Sequence, residues 1–164
     1  MTVRRTRSSS SKRRPRGQSG RPVVWSAGYG GRTPEGLLQI LREHGIELVC
    51  DVRFRPRSRW LLWANYYTVR GDGPLKQLVE NAGFEYRWLG RALGNPKPKE
   101  QNLAAFKRLM DHEGEARLTE LKALARSRRV CLLCAAKDPS RCHRSVITRV
   151  LEQHGFQCVD LLDS

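Results

Sequence analysis

Acidic residues are what this chain is short of: 16 Asp and Glu stand against 31 Lys and Arg, a formal net charge of +15. Residues 1–22 contain no acid at all and eight of the cations. The rest of the chain still carries 23 cations against 16 acids. Such an imbalance favours polyanionic partners, a phosphate-bearing ligand or nucleic acid, through counterion release. It speaks to association and not to fold. Also missing is any apolar run near the roughly 20 residues that span a bilayer, and the N-terminus has no apolar stretch of the secretory type. A cytoplasmic protein without a membrane partner is the expectation. No internal repeat is present. The cysteines are five, an odd number, and none lies in the basic tail. That is not the framework of a disulfide-stapled secreted domain.

What is there suits one domain. Residues 1–22, with four consecutive serines and a single aliphatic residue after the first Met, bury too little to offset the entropy of ordering and are expected to be a disordered basic tail. An arm for nucleic acid and an inert tail are both open. Residues 23–164 are expected to form a single α/β domain. Val23–Ala27 and the apolar run Ile46–Val52 have strand length, and between them Thr33 caps a helix with Pro34 in its first turn. This strand–helix–strand order predicts two parallel, adjacent strands. A helix from Pro74 to Ala82 precedes an alternating strand, Phe84–Leu89, and a loop from Gly90 to Lys99. A helical stretch follows from Asn102 to Arg126, with Gly114 as its expected interruption. Val130–Ala135, a helix over 144–154 and Phe156–Leu161 complete a three-layer sandwich around a mostly parallel sheet of about five strands.

In parallel sheets ligands bind beyond the carboxyl ends of the strands, and unusual chemistry collects there. Gly28 and Gly30 follow the first strand, where backbone amides can approach a phosphate. Asp51 and Arg53 end the second, and Arg57 and Arg59 continue an alternating run of arginines. These guanidiniums are candidate anion ligands. Asp51, at the end of a buried strand, needs a cationic partner, and Arg53 and Arg144 are both candidates. Cys134, Cys142, His143 and Arg144 follow the fourth strand. A helix start with neighbouring cations favours a thiolate, so Cys134 or Cys142 is a candidate nucleophile, or the two form a redox pair. His143 or Asp51 can move protons, and Arg144 can hold an anion. His143 also suits a helix cap. Cys131 and Cys134, though spaced as C-x-x-C, face opposite sides of a strand, and no second pair follows. Neither a metal nor a cofactor is expected.

These residues resemble the family known as domain of unknown function 488. Its pattern is a glycine turn after the first strand, a D-V-R with P-x-S-R, an L-G-G-type turn and a closing C-x-E-x-x-P-x-x-C-H-R. Here these are Gly28 with Gly31-Arg32, Asp51-Val52-Arg53 with Pro56 to Arg59, Leu89-Gly90 with Leu93-Gly94, and Cys134 to Arg144. The resemblance spans residues 23–161 and implies an α/β sandwich with no established reaction. Ala136 stands where the family pattern has glutamate. A looser likeness, to rhodanese-type sulfurtransferases and cysteine phosphatases, rests on the early D-V-R and on Cys134, Arg144 and Ser145. The C-x-x-x-x-x-R spacing is not met, because Arg141 falls one position too far. Two functions stay open: anion binding at the strand ends, with nucleic-acid association, and a thiol-dependent enzyme.

Overall fold

The strand that is apolar at every position takes the centre of the sheet. Val130–Cys134 (β4), sequence VCLLC, is buried throughout, as a strand covered on both faces must be. A computed structural model describes residues 20–54, 74–95, 103–138, 140 and 142–161. Most of the basic tail, with Arg57 and Arg59, lies outside them.

In chain order the elements are β1 (Val23–Gly28), α1 (Pro34–Glu43), β2 (Leu48–Asp51), α2 (Pro74–Asn81), β3 (Glu85–Trp88), α3 (Gly90–Leu93), α4 (Leu103–Arg117), α5 (Thr119–Ser127), β4, α6 (Arg144–Gln153) and β5 (Gln157–Asp160). The five strands form one sheet in the order β3-β2-β4-β1-β5, with every pairing parallel. The α/β sandwich expected from the alternation is therefore present. Strands β1 and β2 are parallel but not adjacent: β4 lies between them, with Gly28 beside Cys134 and Asp51 beside Leu133. The expectation of adjacency fails because the strand richest in apolar side chains claims the position covered on both sides.

Side chains alternate across the sheet, and the two faces build two cores. Val24, Leu48, Cys50, Val130, Leu132 and Cys134 pack with Phe106, Leu121, Val146 and Val150 from α4, α5 and α6. Trp25, Val49, Cys131 and Leu133 pack with Leu37, Leu41, Leu75 and Val79 from α1 and α2. Thr33 caps α1 as expected, its hydroxyl accepting from the Gly36 amide at 3.0 Å. Gly114 does not interrupt a helix; α4 runs through it and breaks at Leu118. An added Cβ there would sit 3.3 Å from Val150 Cγ1, so glycine lets α4 press against α6. The stretch after Gly90, expected as loop, opens with the short helix α3. Among the described residues no helix is long and apolar enough to cross a membrane.

Gly28 ends β1 where the loop after β4 crosses it. A Cβ there would lie 1.8 Å from the Ala136 carbonyl oxygen and 2.8 Å from Lys137 Cα, both backbone. Gly28→Ala must therefore displace the loop that leads to Cys142. Overpacking of this kind costs about 1–3 kcal/mol, and a urea-unfolding midpoint should fall accordingly. An unchanged midpoint would show that the loop yields freely.

Candidate functional site

The carboxyl ends of β1, β2 and β4 bring the sequence candidates together in two groups, one on each face of the sheet. On the α1–α2 face, Asp51 is completely buried and Arg53 is 6% exposed. Arg53 Nε donates to Asp51 Oδ1 at 2.8 Å and Arg53 Nη2 to Oδ2 at 2.6 Å. The Arg53 amide also donates to Oδ1, at 3.1 Å. Tyr86 donates its hydroxyl to Oδ2 at 2.5 Å, and Arg53 Nη1 reaches the Tyr29 hydroxyl at 3.2 Å. Burial, the Asp51 charge and its hydrogen bond hold the Tyr86 hydroxyl above its ordinary range. The cationic partner of Asp51 is thus Arg53. Arg144 is elsewhere.

On the α4–α6 face, Cys134 ends β4 and Cys142 lies two residues before α6. Their Sγ atoms are 2.9 Å apart, inside the fold. His143 occupies the N-cap position of α6 but makes no side-chain capping bond. Its ring turns inward instead. Nε2 lies 2.7 Å from the Val52 carbonyl, an acceptor only, so Nε2 carries a proton and donates it there. That leaves Nδ1 facing both sulfurs, 3.7 Å from Cys142 and 3.9 Å from Cys134. Phe106 meets the imidazole edge-on, ring centres 5.4 Å apart.

The electrostatics separate the two thiols. The hydrogen bond with Cys134, joined by His143 and the Arg144 charge and opposed by burial, pulls the Cys142 thiol well below its ordinary range. The same hydrogen bond and burial push Cys134 well above it. The electrostatics therefore favour the thiolate on Cys142 and the proton on Cys134. Burial drives Cys50 and Cys158 up to about 12 and raises Cys131 as well. Cys131 projects into the other core from Cys134, as the strand alternation requires.

Arg144, the first residue of α6, is completely buried. Its Nη1 donates to Asp160 Oδ1 at 2.6 Å and to Ser26 Oγ at 3.3 Å, and its Nη2 to the Ala136 carbonyl at 2.7 Å. Ser26 Oγ in turn donates to Asp160 at 2.6 Å. Sequence reasoning missed Ser26, Asp160, Tyr29 and Tyr86. The signal for Asp160 is a carboxylate closing the last strand.

The glycine turn after β1 spends its amides on the neighbouring strand. Tyr29 N–H donates to the Cys134 carbonyl at 3.0 Å and Gly30 N–H to the Ala135 carbonyl at 2.8 Å. Its work is to join β1 to the cysteine loop. Cys134, Cys142 and His143 are, among the described residues, the group with the atoms to hold a metal ion, those atoms lying within 4.8 Å of one another. Two sulfurs 2.9 Å apart also have the makings of a dithiol–disulfide couple.

The family described as Domain of unknown function DUF488 matches residues 33–151, a span that includes Asp51, Arg53, Cys134, Cys142, His143 and Arg144. No curated protein and no solved structure matches the chain.

Proposed function

Since the chain belongs to the DUF488 family, whose description assigns no function, we propose from the site itself that it is a thiol-dependent redox enzyme. In this reading Cys142 is the nucleophile and Cys134 the resolving thiol. The observation that carries it is the 2.9 Å contact between the two sulfurs, with His143 Nδ1 facing both. The Cys142 thiolate attacks one sulfur of a small disulfide, forming a mixed disulfide and expelling a thiolate. Cys134 then gives its proton to His143 Nδ1 and attacks Cys142 Sγ, expelling the second thiolate. Two electrons leave the protein sulfurs, which end as a Cys134–Cys142 disulfide, and the substrate leaves as two thiolates, one taking the proton from His143 and the other a proton from solvent. Closing that bond brings the sulfurs from 2.9 Å to about 2.0 Å. With Cys134 and Cys142 only 6% and 3% exposed, the substrate class is small.

A trapping experiment tests this. The reduced chain treated with hydroxyethyl disulfide should end two hydrogens lighter with no adduct, whereas Cys134→Ser should stall with one hydroxyethylthio group on Cys142. A folded Cys134→Ser chain left unlabelled, or labelled elsewhere, would sink the reading.

A second reading, association with nucleic acid, is favoured by the net charge of +15. Arg53 and Arg144 point inward to carboxylates, so this reading belongs to the protein's general surface charge and its tail. Removing residues 1–22 takes away eight cations. The log–log salt dependence of duplex binding should then flatten, by up to about 7 if each of them releases a counterion. An unchanged slope would exclude the tail.

A further inference from the structure

We infer that Cys134, Cys142 and His143 together form a binding site for a soft divalent ion of the zinc class, with one coordination position left for a water or a small ligand. The inference uses the reduced thiols but stands without the exchange reaction proposed above.

Three observations carry it. First, the donor set is two sulfurs and one imidazole nitrogen, the chemistry that selects zinc over calcium or magnesium. Its atoms lie within 4.8 Å of one another in a buried setting. Second, the spacings are close to those of a tetrahedral centre. Bonds of about 2.3 Å to sulfur and about 2.0 Å to nitrogen place each sulfur about 3.5 Å from the nitrogen and the sulfurs about 3.8 Å apart. The sulfur–nitrogen distances, 3.7 and 3.9 Å, exceed this by only about 0.2 and 0.4 Å. The sulfurs, 2.9 Å apart, must separate by about 0.9 Å, within reach of small side-chain rotations. Third, the imidazole is already set as a ligand. Its Nε2 proton is held by the Val52 carbonyl at 2.7 Å, the outer hydrogen bond that fixes tautomer and ring direction in metal-bound histidines.

The nearby cation does not oppose the charge balance. Arg144 is neutralised by Asp160 at 2.6 Å, and a divalent ion on two thiolates is itself neutral. Three protein ligands match the count of catalytic and not of structural zinc sites, which close with four. Cys131 cannot supply a fourth, because it lies in the core on the other face of the sheet.

The test is titration of the reduced, full-length chain with cobalt(II) under argon, followed by displacement with zinc. One cobalt per chain is expected, with a thiolate-to-cobalt charge-transfer band and the intense visible transitions of a tetrahedral ion. His143→Ala should weaken binding by about 100-fold or more, and Cys158→Ser should leave it unchanged. In the unmutated chain zinc should protect Cys134 and Cys142, and not Cys158, from iodoacetamide, a readout independent of whether any variant folds. Absence of stoichiometric binding, or a band that survives Cys134→Ser with Cys142→Ser, would overturn the assignment. A chain that forms the disulfide but binds no cobalt would overturn the metal site alone. One that binds cobalt but never forms the mixed disulfide would overturn the exchange reaction alone.

Discussion

Arg53→Met is expected to destabilise the protein by about 3–5 kcal/mol, the cost of leaving a buried charge without its partner. Asp51 is completely buried, and Arg53 closes a two-pronged ion pair on it at 2.8 and 2.6 Å. Methionine keeps much of the stem volume and none of the charge, so the loss is electrostatic and not a cavity. Asp51 would keep the Tyr86 hydroxyl and the residue 53 amide as donors, which sets the lower end of the range. Arg53→Met combined with Asp51→Asn removes both charges and should recover much of the loss, because a buried pair is worth far less than the penalty for breaking it. Guanidinium unfolding of the two single variants and the double gives the cycle. A single-variant loss below about 1 kcal/mol would mean that the pair is hydrated and the site looser than its distances imply.

The other large effect falls on the opposite face of the sheet. Cys142→Ser should slow reaction with hydroxyethyl disulfide by about a thousandfold or more, since the thiolate is the attacking species and a serine hydroxyl stays protonated near neutral pH. The cysteines outside the pair should not compensate: Cys50 and Cys131 are buried, and burial holds both thiols, like that of Cys158, in the protonated form. Stopped reactions analysed by intact mass give the rate. A Cys142→Ser chain that reacts at the parent rate would move the nucleophile to Cys134. Stability should change little, because oxygen for sulfur at this position leaves the hydrogen-bonding partners in place.

The two predictions divide along a line that the sequence only half reveals. Strand identity is legible in short apolar runs such as Val130–Cys134, and the period of two separates Cys131 from Cys134 on sequence alone. Strand order is not, because two strands joined by a helix carry no mark of a third inserted between them. That insertion is what brings Val52, at the end of β2, within 2.7 Å of His143. A backbone carbonyl has no sequence signature, so the histidine read as a possible helix cap turned out to be fixed by a neighbouring strand. Asp51 and the cysteine loop share neighbouring strand ends, but the pleat points the carboxylate to one face and the sulfurs to the other. Parity within a strand is readable from sequence; relative parity between strands needs the register. Arg144 shows the same limit. Its placement beside Cys142 was expected, while its ion pair with Asp160 depends on β5 lying beside β1.

The most direct test of a reactive dithiol at the end of β4 is to equilibrate the unmutated, reduced chain across a series of glutathione redox buffers, quench with acid and map the cysteine-containing peptides. A single cross-link between Cys134 and Cys142 should appear in one two-electron step, with Cys50 and Cys131 recovered as free thiols throughout. Recovery of both Cys134 and Cys142 as thiols in the most oxidising buffer, from protein that is still folded, would contradict it.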